Sequence, residues 1–373
     1  MIPLATIIER FEADYLTQYG QTAMPSQRKA LSIMKRCRTT LAAQMLAQCA
    51  GCGEQRLVPH SCGHRNCPHC QHHESQAWIE RQTQRLVPGN YFMITFTLPA
   101  ELRPLAWQNQ RIVYTALMDC AWQTLRTFSQ NHKQLLGTPG AVAVLHTHSR
   151  QLEFHPHAHM VMPAAALDTD KGLWRSLRLS KKGAGYLFNH KALAKVFRGK
   201  LLQALSDAGL TLPNKLPKEW VVDCLSVGNG QKAIIYLGRY LYRGVIQEKD
   251  ILRCENGRVT YRWRDSKTKK MATRTVSGAQ FLRLVLQHVL PKGFRRARNF
   301  GYLHPNSKRL IALLALLVFK RPCVVPAQPS EATTPRAQWK CACCGGAMVV
   351  VRRRILPPMV APPDAQSEVN TNQ

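Results

Sequence analysis

From residue 151 the chain reads Gln-Leu-Glu-Phe-His-Pro-His-Ala-His-Met, with histidine at 155, 157 and 159. A period of two fits a β-strand, because successive side chains of a strand point to opposite faces of its sheet. On that parity Gln151, Glu153, His155, His157 and His159 share one face. Leu152, Phe154, Ala158 and Met160 share the other, which is the core face. Three imidazoles with a carboxylate and an amide on one strand face make a candidate metal site. Two of the imidazoles would leave coordination positions open for a phosphate oxygen, which suits a Lewis acid acting on a phosphodiester. The third ligand is open: Glu153 and Gln151 fit by parity, and His146 on the preceding predicted strand is a further candidate. The sequence has no H-E-x-x-H, and Met160 stands where an H-x-H-x-D-H site needs Asp.

The second strong feature is cysteine. Six of the 13 lie in the first 70 residues, at 37, 49, 52, 62, 67 and 70. The N-terminus carries Glu9, Glu12 and Asp14 and lacks the basic start and apolar run of an export signal. The longest apolar run, Leu310 to Phe319, is half of what a bilayer needs and is flanked by Lys308/Arg309 and Lys320/Arg321, so it reads as a buried helix. Neither secretion nor membrane insertion is expected, and the thiols are expected reduced, as metal ligands before disulfides. Cys49-x-x-Cys52 and Cys67-x-x-Cys70, separated by 14 residues, present four thiolates at the span a tetrahedral Zn²⁺ needs. Cys37, His60, Cys62, His64, His69, His72 and His73 crowd around them, so a second zinc or another choice of four ligands stays open. No free coordination position is implied, and the zinc is structural. The later Cys341-Ala-Cys343-Cys344 offers one more C-x-x-C turn, whose partners the sequence does not locate.

Charge points to the partner. With 52 Lys+Arg against 21 Asp+Glu, the formal charge is +31, far more than solubility needs and suited to a polyanion. No acid occurs between Asp265 and Glu331, where 13 Lys/Arg do, and Lys171 to Lys200 holds nine bases and no acid. Interspersed aromatics (Trp174, Tyr186, Phe188, Phe197; Phe294, Phe300, Tyr302) suit phosphate contacts with base stacking.

Periodicity places strands at Tyr91–Leu98, Ala141–His146, Gln151–Val161 and Trp220–Leu225, and a hairpin at Arg258–Arg264 and Ala272–Val276. Helices are expected at Glu74–Leu86, 105–130, Lys191–Ser206, Lys232–Val245 and Ala279–Val289. The fold class is α+β. Four segments are expected: 1–87, helical and zinc-binding; 88–265, catalytic; 266–321, basic and DNA-contacting; and 322–373, a Pro/Ala-rich tail with a Cys cluster, partly disordered.

The helix at 232–245 carries Tyr236 and Tyr240 at i, i+4, stacked on one face. Lys232 and Arg243 lie close to that face, Arg239 borders it, and Tyr242 projects away. A phenol with a pKa of about 10 is a weak nucleophile unless cations or a metal favour its phenolate. This face supplies cations, which also mark Lys232, Arg239 and Arg243 as DNA-binding candidates.

These residues resemble the rolling-circle transposases of the HUH nuclease superfamily, specifically the insertion sequence ninety-one family with its N-terminal zinc domain. The resemblance runs from Cys37-Arg-Thr through Cys67-Pro-His-Cys70, Thr95-Phe-Thr-Leu-Pro99 and Leu145-His-Thr to His155-Pro-His-Ala-His159. It continues through Phe197-Arg198 and Tyr236-Leu-Gly-Arg-Tyr240 to His288-Val-Leu-Pro-Lys-Gly-Phe294. It implies an antiparallel-sheet nuclease domain with flanking helices, a histidine pair His157/His159 binding Mg²⁺ or Mn²⁺, and Glu153 as the parity choice for third ligand. By the same resemblance Tyr236 attacks single-stranded or hairpin DNA at element ends, leaving a 5′-phosphotyrosine and a free 3′-OH, and Tyr240 serves a second cleavage or strand transfer. The protein would be bacterial, cytoplasmic and DNA-associated. Two other functions compete: a plasmid-type replication initiator or relaxase with the same chemistry, and a non-enzymatic zinc-containing DNA-binding regulator.

Overall fold

The computed structural model describes residues 1–177, 187–242, 244–265, 268–319 and 339–355. Its centre is a five-stranded sheet in the order Ala297–Gly301, Gly140–His148, Phe154–Pro163, Tyr91–Thr97 and Val222–Ser226, with every neighbouring pair antiparallel. The histidine strand is therefore the middle one. Its neighbours are fixed in register, His159 opposite both Thr95 and Val144, and His157 opposite both Thr97 and His146.

Alternation gives the sheet two different faces. Phe92, Ile94, Phe96, Ala143, Leu145, Ala158, Met160 and Met162 point to one side and are buried there. The helices Gln110–Asn131 and His190–Asp207 cover that side, the first through Val113, Tyr114, Leu117, Ala121 and Leu125 at helical spacing. Asn189 caps the second by accepting the Ala192 N–H at 3.1 Å. On the other side Tyr91, Val142, Val144 and Val161 meet Trp78 of the helix His72–Thr83 and Ile234, Leu237 and Leu241 of the helix Gln231–Tyr242. His146, His157 and His159 continue this second face beyond its apolar part, so parity delivers them to the tyrosine helix.

A separate core joins distant parts of the chain. Ile7, Ile8, Phe11, Leu31 and Met34, from the helices Leu4–Tyr19 and Pro25–Lys35, pack with Tyr261, Phe281, Leu282 and Val285. The last three belong to the helix Gly278–Leu286, which follows the three-stranded sheet Ile251–Glu255, Arg258–Arg264 and Met271–Ser277. The expected boundary at 265 thus falls inside a hairpin, because strands 258–264 and 271–277 hydrogen-bond along their whole length. The tail also departs from expectation. Met348–Ile355 adds a strand to the hairpin of Gln44–Cys49 and Gln55–Pro59, while 322–338 and 356–373 lie outside the described residues. The run Leu310–Phe319 does form a helix, Lys308–Phe319, but only Leu314 is fully buried, and Leu316 is 61% exposed. It packs by one face as a surface helix.

Candidate active site and metal centres

The ring nitrogens of His146, His157 and His159 come within 4.8 Å of one another. Sheet register puts them there, with His146 and His157 directly opposed and His159 two residues further along the same strand. Each ring is held by something specific. His157 Nδ1–H donates to the His155 carbonyl at 2.7 Å, so its Nε2 presents a lone pair. His159 Nδ1 is joined to Thr95 Oγ1 at 2.9 Å. His146 is 2% exposed, and its Nε2 is buried with no hydrogen-bond partner. An orphaned nitrogen between two oriented imidazoles is what a bound cation would satisfy. Burial holds His157 down at about 4 and His159 at about 3, and pushes His146 well below the usual imidazole range with help from its two neighbours. All three are neutral at neutral pH, the form that binds metal.

The third ligand expected by parity, Glu153, is not among them. Two irregularities intervene. Leu152 adopts a left-handed φ of 65°, in a turn closed by the Ser149 N–H to the Glu153 carbonyl at 3.0 Å. The register then shifts between His148↔Phe154 and His146↔His157, three residues on the histidine strand against two on its neighbour. Glu153 instead faces Arg274 at 3.6 Å with its side chain 56% exposed. The shift also separates His155 from the trio, and its Nδ1 meets an Arg103 guanidinium nitrogen at 2.7 Å.

The two tyrosines occupy different environments. The Tyr236 ring is 49% exposed, 6.2 Å centre to centre from both His146 and His159. Tyr240 lies face to face on His146, with 3.2 Å between ring centres, and beside His148 at 4.9 Å; its hydroxyl is enclosed. Arg296 covers the same ring from 5.3 Å. The cations were expected to favour the phenolate, but burial dominates. It raises both phenols above their ordinary value, with Arg150 offsetting it only partly at Tyr236 and Arg296 at Tyr240. A cavity of about 920 Å³ opens at the tyrosine helix, lined by Tyr236, Arg150, Lys232, Arg239, Arg262 and Arg264 among others. Of the three expected DNA-binding residues, Lys232 and Arg239 line this cavity, and Arg243 lies outside the described residues. Arg296, His148 and His288 were not among the site residues expected from the sequence. Arg296 belongs to the stretch Arg295-Arg-Ala-Arg298, and its burial distinguishes it from Arg295 and Arg298.

The four cysteines expected to share a zinc do not converge. Cys37, Cys62, Cys67 and Cys70 form one quartet, while Cys49 and Cys52 meet Cys341 and Cys344. The hairpin explains the split. Cys49 and Cys52 sit at its tip, whereas Cys37 and Cys62 flank its base, where Gln44 pairs with Pro59. Five residues of strand separate the two ends by roughly 17 Å at about 3.3 Å per residue. In the base quartet the sulfurs lie 3.7 Å (Cys37–Cys70), 3.6 Å (Cys62–Cys70) and 3.5 Å (Cys37–Cys67) apart. Tetrahedral thiolates at about 2.3 Å from zinc would stand about 3.8 Å apart, so the quartet fits structural zinc. This cysteine knuckle is tied to the segment 288–294: the Asn66 amide donates to the His288 carbonyl at 3.2 Å and Arg65 to the Phe294 carbonyl at 3.1 Å.

Comparison with known proteins places the chain. Residues 7–98 match a family described as "Transposase zinc-binding domain", and residues 140–310 one described as "Putative transposase". The first span holds all six early cysteines, the second the three histidines and both tyrosines. A "Putative transposase y4qJ" of Sinorhizobium fredii (strain NBRC 101917 / NGR234) is 32% identical over 353 residues, covering 89% of this chain and 87% of that protein. A "Transposase for insertion sequence element IS801" of Pseudomonas savastanoi pv. phaseolicola is 31% identical over 272 residues, covering 68% of this chain and 63% of that one. Among solved structures, a conjugative relaxase TrwC in complex with oriT DNA, metal-bound, aligns over 36% of this chain and 49% of its own, at 18% identity and a TM-score of 0.27. The two family matches and the relatives together define a transposase. The chain belongs to the insertion sequence ninety-one (IS91) transposase family. Among the described residues no helix is long and apolar enough to cross a membrane.

Proposed function

We propose that this transposase nicks single-stranded DNA at element ends with Tyr236 as nucleophile, beside a divalent cation held by His146, His157 and His159. The observation that carries this reading is the half-exposed Tyr236 ring, 6.2 Å from two of three converging imidazoles at the edge of an arginine-rich cavity. Bound there, the cation would supply Lewis-acid polarisation of a non-bridging phosphate oxygen. Three imidazoles without a carboxylate suit Mn²⁺ better than Mg²⁺, which prefers oxygen ligands. They also leave the cation's charge uncompensated for the phosphate.

Arg150, Lys232 and Arg239 hold the strand by its phosphates and set Tyr236 Oη in line with the scissile bond. The Tyr236 oxygen–phosphorus bond forms as the phosphorus–O3′ bond breaks, and the proton the phenol gives up ends on the departing 3′ oxygen, directly or through solvent. Because the phosphodiester becomes a phosphotyrosine ester, bond energy is conserved for rejoining without a nucleotide cofactor. Tyr240 lies against His146 with its hydroxyl enclosed, so in this state it positions the imidazole; a role in a second strand transfer requires the helix to move. Membership of a transposase family favours this reading over a replication initiator or a non-enzymatic regulator.

The test incubates the protein with labelled single-stranded element-end DNA and Mn²⁺ and looks for a denaturant-resistant protein–DNA band. Wild type forms it, EDTA prevents it, and Tyr236→Phe loses it, while Tyr240→Phe forms it at a reduced rate. An adduct of undiminished yield in Tyr236→Phe rules out the assigned nucleophile.

A further inference from the structure

The cysteines at the hairpin tip have found partners almost 300 residues away. Cys49 Sγ lies 3.4 Å from Cys344 Sγ, and Cys52 Sγ 3.6 Å from Cys341 Sγ. All four sulfurs fall within 4.8 Å of one another. Those separations are far beyond a disulfide bond of about 2.05 Å and close to the roughly 3.8 Å edge of a tetrahedral zinc–thiolate site.

The backbone around them repeats. In the first turn the Gly53 N–H donates to the Cys49 carbonyl and the Cys49 N–H to the Glu54 carbonyl; in the second, Gly345 donates to Cys341 and Cys341 to Gly346. Gly53 and Gly345, each just after the second cysteine, have φ of 76° and 72°. Such values favour glycine and let the turn fold back under its two sulfurs. The Gly51 N–H donates to Cys49 Sγ at 3.3 Å and the Cys343 N–H to Cys341 Sγ at 3.4 Å, bonds that favour thiolate over thiol. The Cys62 Sγ of the base quartet receives one as well, from the His64 N–H at 3.4 Å. A Cβ on Gly346 would stand 3.2 Å from both Cys344 Sγ and Cys49 Sγ, so the glycine keeps the space around the sulfurs clear.

Little else could hold this module together. Its buried apolar set is Ala47, Cys49, Cys341 and Met348, with Val58 partly packed on it. So small a cluster needs a cross-link of some kind.

We propose that Cys49, Cys52, Cys341 and Cys344 bind a second structural Zn²⁺, which clasps the strand Met348–Ile355 onto the N-terminal hairpin. Cys343, exposed and outside the quartet, takes no part. The matched zinc-binding family spans residues 7–98 and contains only half of this ligand set. The clasp fixes a strand carrying Arg352, Arg353 and Arg354, all exposed, on a folded support. It is independent of the tyrosine chemistry.

Zinc analysis of the purified, reduced full-length chain tests it. Two zinc ions per chain are expected for wild type and for Cys343→Ser, and one for Cys341→Ser/Cys344→Ser. In wild type, alkylation mapped by peptide mass should leave Cys341 and Cys344 unmodified until zinc is stripped, a readout that does not depend on any variant folding. Two ions retained by the double variant would overturn the assignment. So would one ion in wild type with Cys341 and Cys344 freely alkylated, or an intact mass about 4 Da low from two disulfides.

Discussion

Single side chains decide whether the three imidazoles form a cation site. The contrast between His146 and Glu153 is the sharpest. His146→Ala should abolish Mn²⁺ binding at this site, whereas Glu153→Gln, which touches only the Arg274 ion pair, should change affinity less than about twofold. Calorimetric titration of the two variants checks both. Proton competition gives a second expectation. Three ordinary imidazoles of pKa about 6.5 would lose roughly a thousandfold in affinity between pH ~7 and ~5.5. Here His157 and His159 are held at about 4 and 3 and His146 is also depressed, so they stay unprotonated and Mn²⁺ affinity should be nearly flat over that interval. The sign for stability is opposite. The unfolded chain takes up protons as pH falls through about 6.5 while the folded imidazoles do not, so the metal-free fold weakens down to about pH 3. What the sequence could say at this scale was parity, and parity is reliable only while a strand stays regular. It held for His157 and His159 and failed at Glu153 and His155, because a left-handed residue and a bulge leave no mark on alternation.

Elements set how close the phenols come to the imidazoles. The tyrosine helix packs on the helix His72–Thr83 at Gly238, whose carbonyl accepts the Ser75 hydroxyl at 3.0 Å. A Cβ at 238 would strike Ile79, and it would lie 2.9 Å from Trp78 Cε3. In Gly238→Ala, higher helix propensity favours the variant by about 1 kcal/mol, but overpacking costs about 1–3 kcal/mol. The steric term wins. A lower melting temperature and a slower adduct rate are expected, the helix being forced away from the sheet that carries His146. Unchanged values in thermal unfolding and cleavage assays would refute that packing argument. Most elements were legible from periodicity, the strand Tyr91–Thr97 within one residue of its predicted end. Strand order was not legible. Nothing in the local pattern says that Ala297–Gly301 pairs with Gly140–His148, since that choice is made by long-range packing.

Across the whole molecule, charge and connectivity matter more than any one contact. A formal charge of +31 and an arginine-lined cavity predict counterion-driven binding of a single strand. With about six phosphates contacted, affinity should fall by roughly two orders of magnitude between about 50 and 200 mM salt, measured by fluorescence anisotropy. A slope near zero would mean that these bases do not track the backbone. Composition made the polyanion legible, and the zinc residue types too, but not which cysteines share an ion. That choice depends on a hairpin whose tip and base face different parts of the chain.

The position of Ala297–Gly301 also orders events during synthesis. A ribosome that has reached residue 250 has already polymerised all three imidazoles and the phenol proposed as nucleophile. Yet the strand bearing His146 still lacks its outer neighbour, and Arg296 and His288, which enclose the Tyr240 and His148 rings, do not exist. An unfinished copy therefore carries every reactive group but not the walls that align them. The enclosing side of the proposed cleavage site is thus the last part of it to be made.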